Sequence, residues 1–349
     1  MKKTPGSGMI EPRQRQALLE ANLSETPSKN GAAKCVQDYL NGRCPENFFR
    51  SFLLVLAKKG ISASQLSQMI AGIKKLEKPL AGTPGNLLDV CGTGGDGLGS
   101  FNISTVSAFV AAGAGGRVAK HGNRAVTSKC GSSDLMEALG VKLDAPQPLM
   151  KSALRSAGIG YFHAPFYHPA LARVQALRRE IGIRTFFNDA GPLLNPCRLS
   201  AQMIGVSGAG QQDFYEELLA KQKIRRALIL RRLDGFDEAT PSAPTEISEI
   251  VNGQRKRWML RPSKYGFNRA SAAAYKGGGA SVNRQIALGI LEGRIHGPKR
   301  DVVLLNASLA LYTAGVAASV AEGVVRSRAS LDSGAARKAL AKLVWISNS

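Results

Sequence analysis

The sequence predicts an α/β protein, with an all-helical N-terminal lobe and a larger α/β domain built on a mostly parallel central sheet. Three observations point there. A chain of 349 residues is too long for one small core. From Ala33 to Lys78 the apolar residues recur at helical spacing. From Leu87 onward, short apolar runs alternate with glycine-rich loops and helical patterns, the strand, loop, helix, strand order of a parallel sheet. The expected limits are an N-terminal extension at 1–33, poorly ordered or partly helical, and a helical lobe at 34–82 completed by helices from about 166–196. The α/β domain then takes 83–165 and 197–349.

Taken in order, residues 1–33 are polar and rich in Ser, Thr, Pro and Gly, with a short helical pattern at RQRQALLEANL. FFRSFLLVLAKKG ends at Gly60, a helix stop, and Ser62 or Ser64 can cap the next helix, QLSQMIAGIKKLEK. LAGTPG at 80–85 punctuates the chain. LLDVC reads as a buried strand, STVSAFVAAGA as a helix, RVAKHG as a second strand and SDLMEALG as a helix. Further strands are expected at 158–164, 201–208, 226–232 and 257–262. Helices are expected at HPALARVQALRREIG, DFYEELLAKQ, NRQIALGILEG and DVVLLNASLALYTAG.

Composition narrows the class. Apolar residues are 44% and charged residues 21%, as in soluble globular proteins. MKKTPGSGMIEP is followed by no apolar h-region, and the run FLLVLA at 52–57 falls far short of the ~20 residues of a membrane span. A cytoplasmic protein is expected. Cys35, Cys44, Cys91, Cys130 and Cys197 form no CxxC pair, which argues for reduced thiols and against a zinc site. Forty-seven Lys and Arg against 25 Asp and Glu leave a net charge of +22. That surplus attracts polyanions, whether nucleic acid, anionic membranes or phosphorylated small molecules. The basic run 254–269 carries Trp258, Tyr265 and Phe267, which could stack bases, although a solvated surface is the plainer account of one short mixed run.

Chemistry concentrates in three segments. CGTGGDG (91–97) precedes a helix, so its backbone N–H groups and the positive helix end can cradle a phosphate. It is neither a Walker A motif nor a GxGxxG fingerprint. Asp96 and the hydroxyls of Ser100, Ser104 and Thr105 strengthen the reading. KHGNRAVTSKCGSSD (120–134) places Lys120, His121, Asn123, Arg124 and Lys129 at the end of a buried strand. LDGFDEATPS (233–242) carries Asp237 and Glu238 after another strand, and Mg²⁺ needs only one or two carboxylates when water and phosphate complete its shell.

LLDVCGTGGDGLGSFNIST, VAKHGNRAVTSKCGSSDLMEALG, APFYHPA, REIGIRTFFNDAGPLLNP and GFDEATPSAPTEI resemble the successive signatures of the anthranilate phosphoribosyltransferase family. They stand in family order across roughly residues 35–347, through GPKRDVVLLNASLALYTAG. The resemblance implies a nucleoside phosphorylase/phosphoribosyltransferase-like fold and Mg²⁺-dependent transfer of phosphoribosyl from phosphoribosyl pyrophosphate to anthranilate, in tryptophan biosynthesis. It implies that Gly92, Thr93, Gly94, Gly95, Asp96, Ser100, Asn102, Ser104, Thr105, Lys120 and the loop through Ser132 bind the donor. Gly92, His121, Asn123, His168 and Arg178 would line the anthranilate path, and Ser104, Asp237 and Glu238 would hold the metal. Arg178 follows His168 by ten residues on one expected helix, so both can face one cleft, and a guanidinium suits a planar carboxylate. No residue is expected as general acid or base, because the aromatic amine is already a neutral nucleophile. A homodimer through the helical lobe is also implied.

The match departs from the family pattern at three places. Cys130 stands where Ser is common, Asp189 replaces an apolar residue, and PSKYGF is basic where the family is often acidic. Two other readings are a family paralogue that binds nucleic acid without catalysis, and a phosphoribosyltransferase or nucleoside phosphorylase for another aromatic acceptor. The retained GTGGD, KHGNR and DE motifs favour the enzyme, since a pure binder would not need them.

Overall fold

The computed structural model describes residues 31–76, 80–94, 99–125, 128–222, 224–233 and 235–349. The expected extension, up to position 30, and its short helix lie outside the described residues. The chain divides into two compact units, one of residues 1–77 and 170–186, the other of 78–169 and 187–349. This boundary differs at its edges from the expected one, which gave 78–82, 166–169 and 187–196 to the helical lobe. Local contacts explain the difference: Leu80 N–H donates to the Pro196 carbonyl, and the Asn195 amide donates to Asp89 Oδ2 and the Ala119 carbonyl, so these segments are stitched to the sheet.

The smaller unit is helical. It holds α1 (Gly31–Leu40), α2 (Glu46–Lys59), α3 (Ala63–Lys75) and Ala172–Ile181, which is α8 in chain order. Their apolar stripes bury Val36, Tyr39, Phe49, Leu53, Leu66, Met69, Val174 and Leu177. Tyr39 and Phe49 stack with ring centroids 4.0 Å apart. α2 stops at Gly60, whose φ of +77° suits glycine, and Ser62 rather than Ser64 caps α3 in a capping box with Gln65.

The larger unit is organised by one seven-stranded sheet. Its strands are β1 (Leu88–Gly92), β2 (Val118–Gly122), β3 (Ile159–His163), β4 (Ala201–Val206), β5 (Arg226–Arg232), β6 (Thr245–Val251) and β7 (Gln254–Leu260), in the order β3-β2-β1-β4-β5-β6-β7. β1 to β5 run parallel, while β6 and β7 form an antiparallel extension. Every expected strand is present. β6 is an addition, turned into β7 by Asn252 and Gly253, both at positive φ as a tight hairpin requires. The strand order reverses between β1 and β4, and ligands of open parallel sheets bind beyond the carboxyl ends of strands at such a switch point.

α4 (Ile103–Gly113) leads from the first glycine loop into the interior and is buried on nearly every side, which its lack of charge permits. Around it pack α12 (Pro298–Ala314), α13 (Val320–Asp332) and α14 (Ala335–Ser347). Of these only α12 was expected; α6 (Gln147–Ser156), α13 and α14 are additions. Among the described residues no helix is long and apolar enough to cross a membrane. α13 meets α12 through Gly323, where a Cβ would overlap the Ser308 backbone. Gly323→Val should therefore cost about 1–3 kcal/mol of stability through overpacking, read as a lower urea midpoint; an unchanged midpoint would show that the two helices can separate freely.

Candidate active site

Gly92 and Gly205 are register partners on β1 and β4, and the loop leaving β5 lies over both. A Cβ on Gly92 would overlap the Asp237 carboxylate, and one on Gly205 would overlap the Asp237 carbonyl. The paired glycines are thus the seat of the acidic loop. Thr93 N–H donates to the Gly205 carbonyl at 2.9 Å, which keeps the first loop in line with the sheet. Gly94, at φ +67°, turns its N–H to Asp237 Oδ2 at 2.9 Å. In the first turn of α4, Ser104 N–H donates to Glu238 Oε1 at 3.1 Å. The structure therefore brings Gly92, Thr93, Gly94, Ser104, Asp237 and Glu238 together. Gly95 and Asp96 lie outside the described residues.

Both acids are buried. Burial, then the neighbouring Asp237 charge, pushes the Glu238 carboxyl up to about 8, against the opposing pull of Lys120 and Ser104. Two desolvated carboxylates side by side suit a divalent cation. Among the described residues no cluster of three His, Cys, Asp or Glu gathers, so a hard ion completed by water and phosphate fits better than an all-protein cage. Close by in the chain, the buried hydroxyls of Thr93 and Thr105 have no hydrogen-bond partner among the described residues, an arrangement that is costly unless a ligand supplies one.

The remaining donor-site candidates are placed as follows. Ser100 pairs through its backbone with Lys276. Asn102 Nδ2 donates to the Cys130 carbonyl at 3.0 Å. Lys120 is almost wholly buried, and its ammonium donates to the Val90 carbonyl at 2.7 Å. Ser132 Oγ contacts the Tyr161 hydroxyl at 3.1 Å over Gly122, where a Cβ would overlap both. The second loop is closed by Asp134, which accepts from Ala125 and Gly131 N–H. Arg124 is committed to Glu137 and Asp134 rather than presented as a phosphate ligand.

Among the acceptor candidates, the buried rings of His121 and His168 meet edge to face at 5.1 Å. Asn123 Oδ1 accepts from Arg124 N–H at 2.8 Å. The single helix expected to carry both His168 and Arg178 is broken: Ala164–Tyr167 (α7) ends before His168, a 3-10 turn spans Pro169–Leu171, and only then does α8 begin. Pro169 lacks an N–H and disfavours helix at the residue before it, which accounts for the break. In its own unit Arg178 is half-buried, and burial with the neighbouring Arg184 charge lowers its pKa. Asp189 accepts from Gln211 Nε2 at 3.1 Å, and Gln211 Oε1 accepts from the Ser207 N–H and hydroxyl. Of the aromatic residues in the basic run, Trp258 donates to Glu249 Oε2, Tyr265 packs against the core and Phe267 is buried.

Three positioning residues escaped the sequence reading. Asn306, on α12, accepts from Ala239 N–H and donates to the Ala239 carbonyl, pinning the residue after Glu238. Gly205 is the second half of the seat. Asp89 is fully buried in β1, accepts from Asn195 Nδ2 and His121 N–H, and is pushed up to about 6 by burial, less the pull of Lys120. The available signals were single polar residues inside apolar runs, Asp89 in LLDVC and Asn306 in VVLLNASLAL.

Asn306→Ala would orphan the two Ala239 backbone groups, and stability should fall by about 1–3 kcal/mol per unpaired group in urea unfolding. Because Asp89 is raised in the folded state above its ordinary 3.8, its contribution is fully present below about pH 4 and is lost as pH rises through about 6. Asp89→Asn should flatten that part of the stability-pH curve; parallel curves for both proteins would contradict the assignment.

Comparison with known proteins agrees with this geometry. Residues 84–337 match the glycosyl transferase family, a/b domain. The anthranilate phosphoribosyltransferase of Methanocorpusculum labreanum is 40% identical over 319 residues, covering 90% of this chain and 93% of that protein. That of Desulfitobacterium hafniense is 43% identical over 312 residues, covering 88% and 91%. The crystal structure of the Thermus thermophilus anthranilate phosphoribosyltransferase superimposes with a TM-score of 0.86 at 35% identity, over 95% of this chain and 99% of that one. The Saccharomyces cerevisiae enzyme, solved in complex with phosphoribosyl pyrophosphate and Mg, shares the fold with the same TM-score at 24% identity, over 97% and 99% of the chains. With its family model over residues 84–337 and relatives about 40% identical across nearly the whole chain, the chain belongs to the anthranilate phosphoribosyltransferase family.

Proposed function

We propose that the chain transfers the 5-phosphoribosyl group from phosphoribosyl pyrophosphate to the amine of anthranilate, giving N-(5-phosphoribosyl)anthranilate and pyrophosphate, a step of tryptophan biosynthesis. The observation that carries this reading is the buried Asp237–Glu238 pair seated on Gly92 and Gly205, against the N–H groups of Gly94 and Ser104. Asp237, Glu238 and Ser104 would hold Mg²⁺, which when bound stabilises the charge of the departing pyrophosphate. The N–H groups of the first loop and the hydroxyls of Thr93, Ser104 and Thr105 would bind phosphate oxygens. Cleavage of the C1–O bond builds oxocarbenium character on the ribose, and the anthranilate amine attacks without prior deprotonation. Catalysis then rests on positioning and electrostatics, for which effective molarity supplies roughly 7–11 kcal/mol.

For the acceptor, Arg178 is the proposed carboxylate partner. Two guanidiniums held near one another, Arg178 and Arg184, favour an anion that relieves their repulsion. His121 and His168 would form an aromatic wall, with Asn123 beside it. A homodimer through the helical unit belongs to the same reading, and light scattering should then give about twice the chain mass of 37.0 kDa.

The purified protein with Mg²⁺ and phosphoribosyl pyrophosphate should deplete anthranilate fluorescence, and a chelator should stop it. Asp237→Asn with Glu238→Gln should abolish turnover with the fold intact; full turnover would overturn the metal assignment. Arg178→Ala should raise the acceptor KM about tenfold or more and leave the donor KM nearly unchanged, as loss of a charge-assisted bidentate contact predicts. A larger effect on the donor would remove Arg178 from the acceptor site.

A further inference from the structure

Asn283 stands on α11 (Ala280–Leu291), is 1% exposed, and has no part in the site described above. Its Oδ1 accepts from Gly278 N–H at 2.8 Å. Its Nδ2 donates to Asn102 Oδ1 at 2.9 Å. The orientation of this chain of amides is fixed by its ends. A backbone N–H can only donate, so Gly278 must meet Oδ1 of Asn283, and Nδ2 must face Asn102. Asn102 therefore accepts through Oδ1, which turns its own Nδ2 to the Cys130 carbonyl, a group that can only accept.

Three segments are joined through the paired amides of Asn102 and Asn283: the entrance to α4 at Asn102, the foot of the second loop at the Cys130 carbonyl, and residues 275–279. The last is laced to the first by Phe101 N–H to the Tyr275 carbonyl and by Gly277 N–H to the Gly99 carbonyl. Gly277 permits the approach, since a Cβ there would crowd Asn283 Oδ1 and the Phe101 backbone. The two loops that must grip one diphosphate are separated by about thirty positions in the chain; the Asn102 amide links them directly through the Cys130 carbonyl, and Asn283 holds that amide in place.

We infer that Asn283 is a positioning residue for the phosphoribosyl donor: through Asn102 it fixes the start of α4 and the Cys130–Ser132 turn in one relative placement. The inference rests on the donor site proposed above. Asn102 acts within it mainly as an intermediary, because its amide already serves Asn283 and Cys130.

The test is a steady-state cycle with the wild type, Asn283→Ala, Asn102→Ala and the double variant, each with a melting temperature. Asn283→Asp is the same-volume version, which keeps the acceptor for Gly278 but sets an oxygen against Asn102 Oδ1. Misplacement of the loops should lower kcat/KM for the donor about ten- to a hundredfold in each single variant, with the acceptor KM within about twofold. The double variant should be little worse than either single one, because one link is lost in all three. Unmoved donor parameters in a folded Asn283→Asp, or additive losses in the cycle, overturn the inference. So does a fall in kcat alone that tracks the folded fraction, which would mark a purely structural role. A wild type without turnover sinks both this and the proposed function, whereas a working wild type with unaffected variants sinks only this.

Discussion

The absence of two Cβ atoms sets the site. Gly92 and Gly205 sit opposite one another on β1 and β4, and only there can Asp237 lie across the end of the sheet, carboxylate over one strand and carbonyl over the other. From that seat the acids reach the N–H groups of Gly94 and Ser104, so the loop after β5 is joined to the loop after β1 and the start of α4. Asn306 fixes the next residue from below. The acids are desolvated by the same packing, which is why Glu238 holds its proton so high without a cation.

Buried charges beside this seat are costly, and Lys120 and Asp89 are matched. Lys120 is neutralised in part by Asp89 and bonded to the Val90 carbonyl, while Asp89 also receives Asn195 and the His121 backbone. Such fully satisfied networks are rigid because every alternative leaves a buried group unpaired. That rigidity suits a reaction whose demands are placement and charge stabilisation more than proton transfer. α4 is enclosed by α12, α13 and α14, so the helix that carries Ser104 is held by packing on several sides.

The net charge of +22 finds no aromatic groove to serve. In the basic run, Arg257 is paired with Glu216 and Asp213, and Trp258 turns its indole to buried Glu249. Arg226 lies over the Tyr312 ring and Arg231 pairs with Glu246, so β5 carries its arginines as part of the sheet's packing. A charge run read along the chain is blind to these partners, because they come from other strands and helices.

What the sequence determined by itself was everything written in short spacing. Glycine-rich loops between apolar runs gave the parallel strands, Gly60 and Ser62 marked helix ends, and Asp237–Glu238 stood out in a chain poor in acids. The strand β6 and its Asn252–Gly253 turn went unread, because TEISEIV was absorbed into a motif. Tertiary structure alone decided the attachment of 187–196 to the sheet and the roles of Gly205, Asn306, Asp89 and Asn283. Those roles depend on hydrogen bonds and close approaches between residues 28 to 181 positions apart. Local periodicity reports which face of an element is buried, but a buried amide acquires its meaning only from the one partner that folding places beside it.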